Sequence, residues 1–208
     1  MNKRSILLLA IAILGFVVLN STTFIVNETE QAIVTQFGKP VGPPITTPGI
    51  HFKVPLIQDT HFFDKRFLGW DGDPNQIPTK DKRFIWVDNY ARWRIIDPLR
   101  FFQRVRDERG AQTRLDDILD GETRNAIANH DLVEIVRSTN RELDVSEDLE
   151  LGAEEAESSY TIKFGREKIT RLIIEASSPR LRELGIELLD LRLKRINYVD
   201  EVQQKIFE

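Results

Sequence analysis

The sequence predicts an α+β fold: one amino-terminal transmembrane helix, then a domain with a small antiparallel sheet and packed helices, ending at the start of a long helix. Three observations predict it. An apolar run without a single charge extends from Ile6 to Val26. Strand-like segments come first and helical ones later, with one late strand, which is the order of an α+β domain. Two segments, Phe84 to Asp97 and Glu187 to Arg195, alternate apolar and polar residues with the period of a half-buried antiparallel strand.

Residues 6–26 are about the ~20 a helix needs to cross the hydrocarbon core, with Ile6, Leu9, Ile13, Phe16, Leu19 and Phe24 among its apolar side chains. The competing reading is a cleaved secretory signal, against which stands Val17-Val18-Leu19-Asn20, a poor match to a small-residue cleavage site. Lys3 and Arg4 precede the run and Glu28 and Glu30 follow it. By the positive-inside rule, residues 1–5 are cytoplasmic and the bulk of the chain lies across the membrane.

The domain itself is expected over residues 27–197. Gln31 to Phe37 reads as a strand stopped by Gly38-Lys39-Pro40, residues 42–49 as a proline-rich loop, and His51 to Pro55 as a short strand. Thr60 to Trp70 reads as one strand and Asp71 to Asp81 as a turn region. Phe84 to Asp97 places Ile85, Val87, Ala91, Trp93 and Ile95 on one face and Asp88, Arg92 and Arg94 on the other. Asp97-Pro98 opens a helix as N-cap and first residue, running to about Arg106. A second helix is expected over Gln112 to Asn129, with Gly121 costing about 1 kcal/mol inside it. Leu132 to Val136 fits a short strand or a helix start equally. Glu142 to Glu157 is acidic without Lys or Arg; it reads as a solvated loop or frayed helix, or as a contact patch for a basic partner. Lys163 to Leu184 reads as a helix kinked or split at Pro179 and closed by Gly185. Leu189, Leu191 and Leu193 form the inner face of the late strand. Residues 198–208 open a further helix.

Composition narrows the chemistry. With 30% charged and 41% hydrophobic residues in 208 the chain is globular, and a net charge of −4 argues against a nucleic-acid binder. No cysteine is present, which removes disulfides, thiolate metal sites, cysteine nucleophiles and palmitoylation. His51, His61 and His130 have no spacing that makes a metal site. No nucleotide-binding, zinc-protease or serine-hydrolase motif occurs. Ser138 and Ser158-Ser159 are candidate nucleophiles only by being serines. Trp70, Trp86 and Trp93 take strand positions and Trp93, on the apolar face, reads as core, while Phe84, Trp86 and Tyr90 form a row on the more polar face that meets a partner or the headgroup region or is covered by an adjoining element. No catalytic, cofactor-binding or metal residue is assigned, and no cofactor is expected.

Four stretches together resemble the SPFH (band 7, prohibitin-like) family. They are Val26 to Gly42, Thr47 to Arg66 with the signature Pro48 to Leu56, Pro78 to Phe102, and Leu181 to Val202. The signature is similar to that of the HflK/HflC branch, which the match favours over stomatins, flotillins and prohibitins. The resemblance implies a non-enzymatic membrane scaffold that self-associates side by side, pairs with an HflK-like sister subunit and restrains an FtsH-like membrane AAA protease. Its implied place is the bacterial inner membrane, single-pass, with the domain periplasmic. The alternatives are a lipid-microdomain organiser of stomatin or flotillin type and a membrane-bound peptidase. Family members continue into a long coiled coil, whereas here only its start is present. Within the signature, Pro48, Gly49, His51, Phe52, Pro55 and Leu56 are expected near the membrane lipid. There His51, Phe52 and Leu56 either touch headgroups or close the apolar end of the sheet.

Overall fold

A computed structural model describes residues 15, 21–138 and 162–198 of the chain. The expected span up to residue 20 (Gly15 apart), the acidic run 142–157 and the helix expected after residue 198 lie outside them. In chain order the elements are β1 (Thr23–Val26), β2 (Glu30–Gln36), β3 (Lys39–Pro40), β4 (Gly49–Phe52), β5 (Gln58–Asp64), β6 (Leu68–Asp71), β7 (Asn75–Pro78) and β8 (Phe84–Ile95). Then come α1 (Pro98–Arg104), α2 (Glu108–Leu115), a π-helical turn (Asp116–Asp120), α3 (Gly121–Ala128), α4 (Leu132–Val136), α5 (Gly165–Glu183) and β9 (Ile186–Tyr198). The chain divides into two compact units, one holding Met1–Phe67, Arg94–Arg106 and Leu184–Ile186, the other Leu68–Trp93, Asp107–Glu183 and Glu187–Glu208.

In the first unit β2 lies between β3 and β5, paired antiparallel with β5 from Glu30 opposite Asp64 to Gln36 opposite Gln58. β1 and β4 form a separate antiparallel ribbon. The single strand expected over Thr60 to Trp70 is two strands, β5 and β6, interrupted at Lys65–Phe67. Asp97 caps α1 as expected: its Oδ1 accepts from the Arg100 N–H at 3.0 Å, and Pro98 occupies the first turn. Helix α1 buries Phe101 edge-on against Phe63, with ring centroids 5.4 Å apart.

Gly185 ends α5 in the left-handed region, φ 79°, where a side chain is strained. It does more than stop a helix. Its carbonyl accepts from Ile96 N–H at 2.9 Å and Asp97 N–H at 3.2 Å. A Cβ here would overlap the Asp97 carbonyl oxygen and stand 2.9 Å from the Phe101 nitrogen.

The second unit is built on β8. Ile85, Val87, Asn89, Ala91 and Trp93 alternate inward and are buried, as the pattern predicts. Leu68 to Asp71 pair with Trp93 to Tyr90, and Asn75 to Pro78 with Val87 to Phe84. The region read as turn between Asp71 and Asp81 therefore contains a strand. The two registers differ by one residue, so β6 and β7 are one antiparallel partner broken by a bulge at Gly72–Pro74. A Cβ on Gly72 would lie 2.6 Å from the Trp70 ring. β9 pairs with β8 as well. Arg92 meets Asp190 at 3.2 Å and Lys194 meets Asp88 at 3.2 Å, cross-strand pairs that step in opposite senses as antiparallel neighbours do. Leu189, expected inside, is exposed; the buried positions run Ile186, Leu188, then Leu191, Leu193. The alternation slips by one residue there, and a strict period of two misassigned that side chain.

Helical expectations are refined similarly. The helix expected from Gln112 starts at Glu108, where Asp107 Oδ1 accepts from Gly110 N–H at 2.8 Å. It then widens into the π turn, which adds a residue to one turn and keeps Leu115, Ile118, Leu119 and Ile127 all buried. Trp70 Nε1 donates to Asp116 Oδ1 at 2.6 Å, and Asn89 Nδ2 to Thr123 Oγ1 at 3.2 Å. Leu132–Val136 is a short helix. Pro179 does not split α5, which runs unbroken with Ile169, Ile173, Ser177 and Leu181 buried four residues apart. Tertiary burial of that stripe outweighs the missing N–H, and Ser177 and Ser178 donate to the carbonyls of Ile173 and Ile174 just before it.

The Glu134 carboxylate accepts three backbone N–H groups: Lys163 at 2.6 Å, Phe164 at 2.8 Å and Gly165 at 2.6 Å. Burial alone would raise its pKa; the three donors together outweigh that and hold it below the ordinary 4.5.

Three stability measurements check this account. Gly185→Ala is expected to cost about 2–4 kcal/mol, from left-handed strain plus overlap, in urea or thermal unfolding. Gly121→Ala, at φ −60° with open space around its Cβ, is expected to stabilise by about 0.5–1 kcal/mol. Because the folded pKa of Glu134 is depressed, its contribution is full above the unfolded value and disappears as pH falls through the folded one. Glu134→Gln should therefore cost about 2 kcal/mol near neutrality and flatten the acid limb of a stability–pH curve; an unchanged acid limb would count against the role.

Candidate membrane-facing site

The β1–β4 ribbon sorts its side chains by parity. Phe24 stands opposite His51 and Val26 opposite Gly49, while Ile25 stands opposite Ile50 and Thr23 opposite Phe52. Phe24 and Val26 face inward and join Ala32, Val34 and Ile45 in one apolar cluster. The His51 ring follows them, 5.8 Å from that of Phe24, with Nε2 donating to the Thr47 carbonyl at 2.9 Å. Ile25, Ile50 and Phe52 face outward and are 64%, 65% and 73% exposed.

The chain leaving β4 extends this surface. Val54 N–H donates to Gln58 Oε1 at 2.8 Å and Gln58 N–H to the Val54 carbonyl at 3.0 Å, closing a turn around Pro55, Leu56 and Ile57. Leu56 sits at the tip with φ 66° and its side chain fully exposed, a conformation costing a branched residue about 1–2 kcal/mol. Gln58 pairs with Gln36, which brings the neighbouring Phe37–Gly38 turn to the same end. Both turn residues have positive φ, 48° and 78°, as a two-residue hairpin requires, and Phe37 is 81% exposed. Val41, Val54 and Ile57 are exposed too. The Lys53 N–H donates to the Thr22 carbonyl at 2.7 Å, so this end adjoins the residue at which the amino-terminal apolar run gives way to the domain.

The signature residues thus divide. Phe52 and Leu56 point to solvent, and Pro48 and Gly49 are exposed on the approach to them. Gly49 has φ 133°, open only to glycine. His51 and the half-buried Pro55 belong to the framework. Phe24, expected in the transmembrane helix, is instead in β1, because its ribbon partner and apolar cluster hold it there. Ile6, Leu9, Ile13, Phe16 and Leu19 lie outside the described residues. Ile25, Ile50, Phe37 and Ile57 were not singled out from the sequence, although a strand pair apolar on both faces was a readable signal. Among the described residues no helix is long and apolar enough to cross a membrane. No group of three or more His, Cys, Asp or Glu among them is placed to hold a metal ion.

Such a surface can do one thing well, which is to leave water. Each large side chain transferred contributes about 1.5–3 kcal/mol, and an apolar cluster of this kind on a folded domain marks an interaction surface.

Residues 24–208 match the model of the SPFH domain / band 7 family. The chain belongs to that family. It is 36% identical to Protein HflC of Treponema pallidum over 206 residues, 94% of this chain and 62% of the relative. It is 32% identical to Protein HflC of Borreliella burgdorferi over 179 residues, 84% and 55% of the two chains. With the Modulator of FtsH protease HflC of Escherichia coli K12 it shares 30% identity over 221 residues, 96% of this chain and 66% of that one. The chain spans about three-fifths of the length of these curated relatives. The SPFH match begins at Phe24, in agreement with β1 being part of the domain.

Leu56→Gly separates the two roles of the tip. The substitution is expected to stabilise the domain by about 1 kcal/mol by relieving the positive φ, read as a raised denaturation midpoint, while removing the most exposed apolar group.

Proposed function

We propose that the chain is a non-enzymatic, membrane-tethered scaffold subunit that regulates a membrane-bound AAA protease of the FtsH kind. It oligomerises with itself and with an HflK-like sister subunit. The observation that carries this reading is the SPFH match over most of the chain, with relatives of which one is named a modulator of FtsH protease. In this reading the apolar run from Ile6 up to the start of β1 anchors the protein in the bacterial inner membrane, with residues 1–5 in the cytoplasm. The domain stands on the periplasmic side with Phe52 and Leu56 at the lipid interface and Pro48 and Gly49 beside them.

The mechanism has no chemical step. Confinement to the bilayer raises local concentration, so lateral contacts too weak to hold in solution act in concert. Resting the apolar end on the membrane fixes the tilt of each domain, which lowers the orientational cost of joining a neighbour.

Affinity purification of the tagged chain from detergent-solubilised membranes, with mass spectrometry of what accompanies it, tests the reading. A sister SPFH subunit and a membrane AAA protease are expected in the eluate. Recovery of the chain alone, membrane-bound and at monomer size, would refute it.

A further inference from the structure

The apolar end carries a charge pattern unlike that of the chain as a whole. The net charge is −4, yet between Glu30 and Asp59 there is no acidic residue, and the two charged side chains in that stretch are Lys39 and Lys53. Both adjoin the exposed apolar residues in sequence, Lys53 being half-buried. Lys39 is exposed and directly follows the Phe37–Gly38 turn; Lys53 lies between the exposed Phe52 and Val54. Neither lysine is in an ion pair among the described residues. The acids nearest in sequence are placed apart or to one side: Glu30 is at the far end of the seven-residue β2, about 20 Å away, and Asp59 stands opposite Thr35.

Resting on the reading that this end faces the bilayer, we infer that it recognises anionic phospholipid. Phe37, Phe52 and Leu56 enter the interface, and the Lys39 and Lys53 amines meet headgroup phosphates. Apolar side chains flanking a lysine suit this arrangement, since its alkyl stem lies along apolar surface while the amine stays at the polar level. A zwitterionic surface offers the same apolar gain without the net negative potential. Lysines near an anionic leaflet each favour the docked state by a factor of about five, an effect that falls off within a Debye length.

The cysteine-free sequence permits a direct test. The full chain carrying Ile57→Cys, labelled there with an environment-sensitive dye, is reconstituted in nanodiscs containing a quencher-bearing lipid. The discs are phosphatidylcholine alone or phosphatidylcholine with phosphatidylglycerol. The expected result is a blue-shifted, quenched label in the anionic discs. The docked-to-undocked ratio should fall about fivefold with each of Lys39→Gln and Lys53→Gln, and fall again as salt is raised. Unchanged thermal unfolding of the lysine variants excludes a folding defect. Equal quenching in both lipids, insensitive to the lysines, would overturn anionic recognition while leaving the membrane-facing reading intact. A label unquenched in every disc would overturn both.

Discussion

The close approach at Gly185 is the constraint on which the first unit leans. Its carbonyl is shared by the amides of Ile96 and Asp97, so the end of β8, the cap of α1, the stop of α5 and the start of β9 meet at one peptide. A side chain there would displace the Asp97 carbonyl, and Asp97 in turn holds the first turn of α1. That turn positions Phe101 against Phe63 on β5, whose partner β2 supplies Ala32 and Val34 to the cluster under the ribbon. The outward row of Ile25, Ile50 and Phe52 exists because its alternate positions are fixed to that cluster. Parity does the rest: a strand that commits Phe24 and Val26 to the core presents Ile25 to the other side.

Much of the framework was readable from local chemistry. Asp97-Pro98, the alternation of β8 and the glycine after α5 each act within a few residues, and each is found where the sequence places it. Three of the failures share a cause. The bulge that makes room for β7, the π turn at Asp116–Asp120 and the slip at Leu189 each insert one residue into a period. A fixed period of two or 3.6 cannot register such an insertion. What sets these insertions is tertiary: the Trp70 ring occupying the space over Gly72, and the Trp70–Asp116 hydrogen bond bearing on the π turn.

The site was half readable. The motif from Pro48 to Leu56 located it, but a motif is a string and the surface is one face of a ribbon. His51 and Phe52 are neighbours in sequence and are sent to opposite sides, so His51 packs beside Phe24 while Phe52 is left exposed. Ile25 is hidden in the sequence because β1 merges with the apolar run before it, and Ile50 because its ribbon partner is then unseen. Composition alone cannot say where an apolar run ends and an amphipathic strand begins; the antiparallel pairing with β4 places Thr23–Val26 in a strand.

Exposed apolar groups and a strained tip are costly in water, and their persistence needs an account. A domain free in solution would lose solubility to a surface holding Phe37, Phe52 and Leu56, and would gain stability from glycine at residue 56. On the proposed reading neither liability applies in place, because β1 begins just after Thr22, whose carbonyl is bonded to the Lys53 N–H. The lipid interface that receives the run is then within reach of the tip. In that reading tether and surface act on the same equilibrium: the tether supplies local concentration, and the surface converts it into a fixed orientation. A tether alone leaves the domain tumbling, and a surface alone binds weakly and without a fixed partner. The proposed scaffold role uses both, and in that reading the bond between Thr22 and Lys53 joins them.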